Sequence, residues 1–338
     1  MRKLILGVVL LLGVYFVITN FAEFEKVTAT IRRGDWRFIA LAFIAQCLWF
    51  VSVGAAYKFI YKGLGVEVSH WRLLRLSIAC DFVNIIVPSA GISGVSVFIN
   101  DARQRGQSPA RAAVAGALNT LFDYTAFLCI LLLGIIILVR RSDLGWPQVI
   151  ASIYLFTIAI GLTILLYLGM RSARLLGNAL YWLAHRVNRL LWPFIKRNYL
   201  SEDQARSFAH DAAEGIQILK SHPRQMALPL FFALCNKLLL ISILALSFLA
   251  FKVPFTVGTI IAGFSTSYLF LVISPTPSGI GVFEGALTLS LSSLFVTLAD
   301  AAVITLTYRA ATFWFPLILG FPIFRSLNMA QQSTPTNT

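Results

Sequence analysis

The sequence predicts an all-α polytopic membrane protein with six full spans plus two re-entrant helical hairpins related as an inverted repeat. Eight full spans is the alternative. Three observations carry this reading. Of the 338 residues, 58% are hydrophobic and only 12% charged, with a mean hydropathy of +0.79, outside the range of a soluble globular domain. Apolar runs recur along the chain, and several reach the roughly 20 residues that a helix needs to cross a bilayer. Two further regions stop an apolar run at proline and restart it through glycine, the pattern of discontinuous helices in transporters.

The six spans expected are Leu4 to Phe21, Phe38 to Tyr61, Ala113 to Val139, Pro147 to Met170, Leu228 to Phe251 and Val303 to Phe321. The first follows a short basic start but lacks a small-x-small cleavage site, which favours an uncleaved span over a signal peptide. With the N-terminus inside, the chain returns to the cytoplasm after the second, fourth and sixth spans. Basic residues meet each return: Lys62, Arg72 and Arg75, then a group of nine Lys and Arg between Arg171 and Arg224, then Arg325. The positive-inside bias therefore places both termini on the cytoplasmic side of the cytoplasmic (inner) membrane. Arg32, Arg33, Arg37, Arg140 and Arg141 fall in outward loops and pull against it. In the eight-span alternative the nine-residue basic group would lie outside, which is the cost of that arrangement.

The segment 171–227 is read as a cytoplasmic helical portion of one transmembrane domain covering 1–325. Leu176, Leu180, Leu183, Val187, Leu190 and Phe194 recur at steps of three and four, while Asn178, His185, Arg186 and Arg189 occupy the other surface. That periodicity gives an amphipathic helix, lying at the inner interface or packed on the cytoplasmic end of the bundle. Residues 326–338 read as a disordered polar tail.

The two interrupted regions are SIACDFVNIIVPSAGISGVSVF, from Ser77 to Phe98, and the stretch from Thr256 to Ala299 that contains SPTPSGIGVFEG. When Pro88 is laid on Pro275, Gly94 falls on Gly281 and Val95 on Val282. Asp123 and Arg309 follow the two prolines at nearly equal spacing, each inside an expected span. Prolines end the incoming helix, and broken helices expose backbone N–H and C=O groups that protein or a water-filled cavity must satisfy. At the second break Pro275 and Pro277 would end one helix, and Ser278, Gly279 and Gly281 would turn the chain. The next helix would then aim free N–H groups at an anion.

Glu284, about one turn beyond Gly281, is placed to cap that helix, to pair with Arg309 or Lys237, or to meet a cation. Asp123, Lys237 and Arg309 are ionisable residues inside apolar runs, which are costly there unless paired, hydrated or snorkelling. An internal Asp123 to Arg309 pair is the structural alternative to a site for a charged lipid head. Asp81 and Asn84 precede the first break, and only Asn84, with Pro88 and Gly94, joins the site set. The full candidate set for a lipid head is thus Asp123, Arg309, Glu284, Pro275, Pro277, Ser278, Gly279, Gly281, Asn84, Pro88, Gly94 and Lys237.

Other chemistries have no support in the sequence. The net charge of +14 gathers in segments joining apolar runs, which fits anionic lipid at a cytoplasmic face rather than nucleic acid. The four cysteines stand singly and the four histidines lack metal-ligand spacing, so no metal, disulfide framework or cofactor is expected. No P-loop is present, and no nucleophile with an adjacent base marks a catalytic residue.

PTPSGIGVFE, the membrane-embedded Asp123 and YRAATFWFP at Tyr308 to Pro316 together resemble the lysylphosphatidylglycerol synthase transmembrane region family, whose members are flippase-like. NIIVPSAGISG resembles that family's earlier Asn, Pro and glycine pattern. Ser278 and Ser93 stand where glycine is usual, and Val95 and Ser96 occupy the region of an expected acid. The resemblance covers about residues 4 to 325. It implies that Asp123 and Arg309 are the family's embedded acid and arginine and that the cargo is a polar or charged lipid head, such as that of a phospholipid, aminoacyl-phospholipid or glycolipid. Membrane lipids, anionic or zwitterionic, are the expected partners. Bifunctional relatives carry a soluble aminoacyl-transfer domain, and with only a polar tail after Phe324 the expectation here is a transporter working beside a separate lipid-synthesis enzyme. An intramembrane lipid-modifying enzyme and a noncatalytic envelope-assembly partner are the alternatives.

Overall fold

The computed structural model describes residues 32–87, 93–140, 227–274 and 276–330, with scattered residues between 149 and 212. Nine α-helices lie in these residues: α1 (Trp36–Gly63), α2 (His70–Ile86), α3 (Val95–Gln104), α4 (Pro109–Arg140), α5 (Ala227–Ala250), α6 (Val257–Ile273), α7 (Val282–Ser293), α8 (Leu298–Arg309) and α9 (Phe315–Ala330). A short 3₁₀ turn (Pro277–Gly279) precedes α7, and a π-helical turn (Ala310–Trp314) joins α8 to α9.

Four helices among the described residues are long and apolar enough to cross a bilayer: Trp36–Gly63, Pro109–Arg140, Ala227–Ala250 and Leu298–Leu327. This corrects the expectation of six full spans, and equally of eight. The interrupted regions add no further span, because α2 and α6 are 17 residues each, short of the roughly 20 required. The expected span Leu4 to Phe21 lies outside the described residues, and Pro147 to Met170 lies mostly outside them. The final span is longer than expected, since α8, the π turn and α9 run as one rod.

The helix pairings follow from the sequence of each face. Asp35 starts α1, its Oδ1 accepting from the Arg37 N–H at 3.0 Å. Its own N–H donates to the Ala250 carbonyl at 2.8 Å, fixing the start of α1 to the end of α5. At the other end of the same pair Phe59 stacks on Phe232, so α1 and α5 run antiparallel in contact along their length. Helices α4 and α6 approach closely where Gly134 has no side chain. There Ser265 Oγ rests against its backbone and donates to the Ile130 carbonyl at 3.3 Å.

Each interrupted region folds back on itself. Arg72 at the start of α2 holds Asp101 near the end of α3, with Nη2 2.6 Å from Oδ1. The start of α6 and the end of α7 meet through Ala262 and Leu294, which share a small cluster with Leu138. The largest buried cluster joins α1, α4, α5, α6, α7 and α8 around Phe127, Phe248, Phe264 and Leu287. A second joins α1 to α4 with the end of α9 and also takes in Leu176 and Ala212 of the expected cytoplasmic segment. Most of that segment lies outside the described residues. Helix α9 continues to Ala330, into the stretch expected as a polar tail.

Candidate functional site

The two breaks are closed by different devices. At the first, Val87 ends α2 and Asn84 reaches across the gap. Its Oδ1 accepts from the Gly94 N–H at 2.7 Å and from Ser93 Oγ at 3.1 Å. One side-chain carbonyl thus satisfies the start of α3, the task Asn and Asp commonly perform at helix N-termini. A Cβ on Gly94 would collide with the Cys80 carbonyl and thiol, so the closeness of α3 to α2 depends on glycine here. Pro88, expected to make this break, lies outside the described residues.

At the second break, hydroxyls replace the amide. Ser274 Oγ accepts from the Thr276 N–H at 3.2 Å, and Thr276 Oγ1 donates to the Ile280 carbonyl at 2.9 Å. Pro277 opens the tight turn, and Ser278, Gly279 and Gly281 take φ of 45°, 70° and 76°. Gly281 then starts α7, and its N–H is capped by Glu284 Oε2 at 2.7 Å. Pro275 lies outside the described residues.

Glu284 does two things at once. Its other carboxylate oxygen accepts a hydrogen bond from Arg309 Nε, in an ion pair whose arginine side chain is 3% exposed. Arg309 Nη2 donates to the Ser278 carbonyl at 3.2 Å. The guanidinium lies 4.2 Å from the Phe313 ring centroid and 5.1 Å from that of Phe283, within reach of favourable cation–π contact. The second break is therefore clamped to the end of α8, immediately before the π turn. Such a turn widens a helix by one residue and is frequent at functional sites.

The second ion pair is separate. Lys237 on α5 is 1% exposed and sits 2.7 Å from Asp123 Oδ1 on α4 and 2.8 Å from Oδ2. Its ammonium also donates to Tyr268 Oη at 2.5 Å, and that hydroxyl donates to Asp123 Oδ2 at 3.2 Å. The alternative of an Asp123 to Arg309 pair is thereby corrected. Each cation has its own carboxylate, because the rotation of α5 turns Lys237 toward α4 while α8 turns Arg309 toward α7. Lys237 does not snorkel to an interface; it is among the most buried side chains described.

Between the two pairs lie adjoining cavities. The larger, of about 220 Å³, is walled by Asp81 and Asn84 from α2, Asn119 and Asp123 from α4, Asn236 from α5 and Tyr268 from α6, with Ser274, Thr276 and Ser278 from the second break. The smaller, of about 110 Å³, takes in Gln46, Tyr308, Arg309 and Thr312, and it shares Trp49, Asp81, Tyr268, Leu271 and Ser278 with the first. The amide oxygens of Gln46 and Asn236 are buried without a hydrogen-bond partner among the described residues. Buried acceptors of this kind call for water or a ligand. Among the described residues no group of three or more His, Cys, Asp or Glu could hold a metal ion.

Of the expected set, Asp123, Asn84 and Ser278 line the larger cavity, Arg309 and Ser278 line the smaller, and Glu284, Lys237, Pro277, Gly279, Gly281 and Gly94 hold those groups in place. The polar wall residues left out of that set include Asp81, Tyr268, Asn236, Asn119, Gln46 and Tyr308. Asp81 stands one helical turn before Asn84, so its spacing carried a usable signal. The others are ordinary members of apolar helices until the bundle assembles.

Long apolar helices packed around buried ion pairs and a polar cavity define a polytopic helical membrane protein. The model of the lysylphosphatidylglycerol synthase transmembrane region family matches residues 4–320, and the chain belongs to that family. It is also 22% identical over 322 residues to a UPF0104 membrane protein of Methanocaldococcus jannaschii, a similarity spanning 93% of this chain and 92% of that protein.

Proposed function

We propose that the protein carries a polar lipid head group across the cytoplasmic membrane through the cavity where the two helix breaks meet, while the acyl chains stay in lipid. The observation that supports this most is the cavity's composition. Amide, hydroxyl and carboxylate groups share with Trp49, Val53, Leu271 and Val272 the wall of a cavity of about 220 Å³ inside a bundle whose outer surface is apolar. That volume lies below the roughly 300–1,000 Å³ of drug-sized sites, which suits a head group and excludes a whole lipid.

In this reading Arg309 attracts the phosphate, since a guanidinium has more N–H donors than Glu284 and the Ser278 carbonyl use. Asp123 with Lys237, and Glu284 with Arg309, balance charge or meet a cationic part of the head. Anionic or zwitterionic phospholipids, aminoacyl-phospholipids and glycolipids are the cargo classes, with a separate enzyme supplying the lipid and both termini on the cytoplasmic side.

The test is reconstitution in vesicles with a panel of labelled envelope lipids. Wild-type protein should expose at least one lipid to the opposite leaflet, and Arg309→Ala should slow that movement by about 10- to 100-fold, the value of a charge-assisted hydrogen bond. Wild-type protein that moves none of the panel would refute the reading. A change of lipid mass without movement would select an intramembrane lipid-modifying enzyme instead.

A further inference from the structure

Asp81 lines both cavities and, among the described residues, is the one carboxylate on their walls without an ion pair or hydrogen bond. The other wall carboxylate, Asp123, is held by Lys237 and Tyr268. The two nearby cations are already committed, Lys237 to Asp123 and Arg309 to Glu284. On the side of the smaller cavity Asp81 shares the wall with apolar Ile85, Leu240 and Leu271. An ionised carboxylate in such a place is costly unless it is paired or hydrated, and taking up a proton removes the charge.

We propose that Asp81 is a proton-binding site that takes up and releases a proton as lipid heads move. The inference rests on the translocation reading for its coupling role, but the proton site stands on the geometry of the cavities. Cavity water provides the proton's route. The partnerless amide oxygens of Asn236, on the wall of the larger cavity, and of Gln46, on the wall of the smaller, are acceptors that such water would satisfy. Position gives the charge change its effect. Asp81 lies on the same helix as Asn84, which closes the first break, and shares both cavity walls with Ser278, whose carbonyl holds Arg309 at the second.

The groups facing Asp81 leave it as the titrating centre. On α2 its neighbour is Cys80, and α1 contributes Tyr57 to the larger cavity. Across the cavities stand Asp123 and Tyr124 of α4, Tyr268 of α6, and Tyr308 and Arg309 of α8. Among the described residues, α3, α9 and the Pro277–Gly279 turn add no titratable side chain to either wall. Thiols and phenols are ordinarily neutral near pH 7, while Asp123 is paired with Lys237 and Arg309 with Glu284.

Two measurements on the full-length protein test this. Infrared difference spectra between about pH 5 and pH 9, which bracket the range over which burial moves a carboxyl, should show a protonated-carboxyl band. That band should be lost in Asp81→Asn and retained in Asp81→Glu. In vesicles with the membrane potential clamped at zero, a tenfold proton ratio should bias the leaflet distribution of fluorescent phosphatidylglycerol by up to about tenfold if one proton moves per lipid. Asp81→Asn should return the distribution to its value without a gradient, and Asp81→Glu should keep the bias.

A band unchanged in Asp81→Asn would overturn the proton site. A bias that survives Asp81→Asn, or one driven by sodium and indifferent to pH, would overturn the coupling. If wild-type protein moves no lipid, the translocation reading fails and the coupling with it, while the infrared band still decides the proton site. Size-exclusion profiles of the variants separate these outcomes from misfolding.

Discussion

Glu284 is where the ion pair and the helix start meet, and its removal tests whether the second break is held electrostatically. Glu284→Ala strands Arg309, whose side chain is 3% exposed, and removes the cap on the Gly281 N–H. Breaking a buried pair by deleting one partner costs about 3–5 kcal/mol, and a lost N-terminal cap costs about 1 kcal/mol. Because one side chain does both jobs the losses overlap, and about 4 kcal/mol is the expected total. At roughly 2–4 °C per kcal/mol for a chain of a few hundred residues, the apparent melting temperature should fall by about 8–16 °C. The assay is fluorescence-detected thermal unfolding in detergent at one fixed heating rate, since unfolding of such a protein is a rate process. The informative comparison is with the double variant Glu284→Gln, Arg309→Met. It removes both charges, keeps an oxygen for the Gly281 N–H and preserves the stacking volume beside Phe313. It should melt above Glu284→Gln alone. A double variant whose losses simply add would refute the claim that Arg309 is destabilising only when its carboxylate is gone.

Two further predictions concern the other ion pair and the turn. Asp123→Ala should cost more than Lys237→Met, about 3–5 against about 1 kcal/mol, because it strands an ammonium that is 1% exposed whereas Asp123 is 27% exposed and keeps the Tyr268 hydroxyl; the same thermal assay ranks the two variants. Gly281→Ala should destabilise by at least about 1 kcal/mol, measured in the same assay, since φ of 76° with ψ of −41° is strained for any residue with a Cβ, even though the space around that Cβ position is open.

Much of the fold was legible because membrane helices announce themselves locally. The runs around Phe38 to Tyr61, Ala113 to Val139, Leu228 to Phe251 and Val303 to Phe321 each became a long apolar helix, and both proline and glycine regions became real helix breaks. The number of full spans was not legible in the same way. Of the six expected, Leu4 to Phe21 lies outside the described residues and Pro147 to Met170 mostly outside them, while the breaks after α2 and α6 are closed by Asn84 over Gly94 and by the hydroxyls at Ser274 and Thr276. The site residues divide along the same line. Asp123, Lys237 and Arg309 stood out because a charge in an apolar run must be answered somewhere. Which charge answers which depends on helix rotation about contacts far apart in sequence, such as Lys237 with Asp123 across 114 positions. Asp81 was visible one turn before Asn84, on the same helical face, and only the cavity showed that this face is where the two breaks meet.

The pairing of each cation with its own carboxylate bears on how tightly a head group could be held. A phosphate that takes the Arg309 Nε–H as well as its remaining N–H donors competes with Glu284, and a displaced Glu284 still has the Gly281 N–H as a partner, so α7 keeps its cap while the guanidinium changes acceptor. One charge-assisted hydrogen bond is exchanged for another of similar kind, in place of an unpaired cation gaining its first partner. The net gain on binding is then small on either side of the membrane, and so is the barrier to letting go. An unpaired arginine in the same cavity would bind phosphate far more strongly and would also retain it. Holding its cations in exchangeable pairs is therefore the arrangement expected of a carrier.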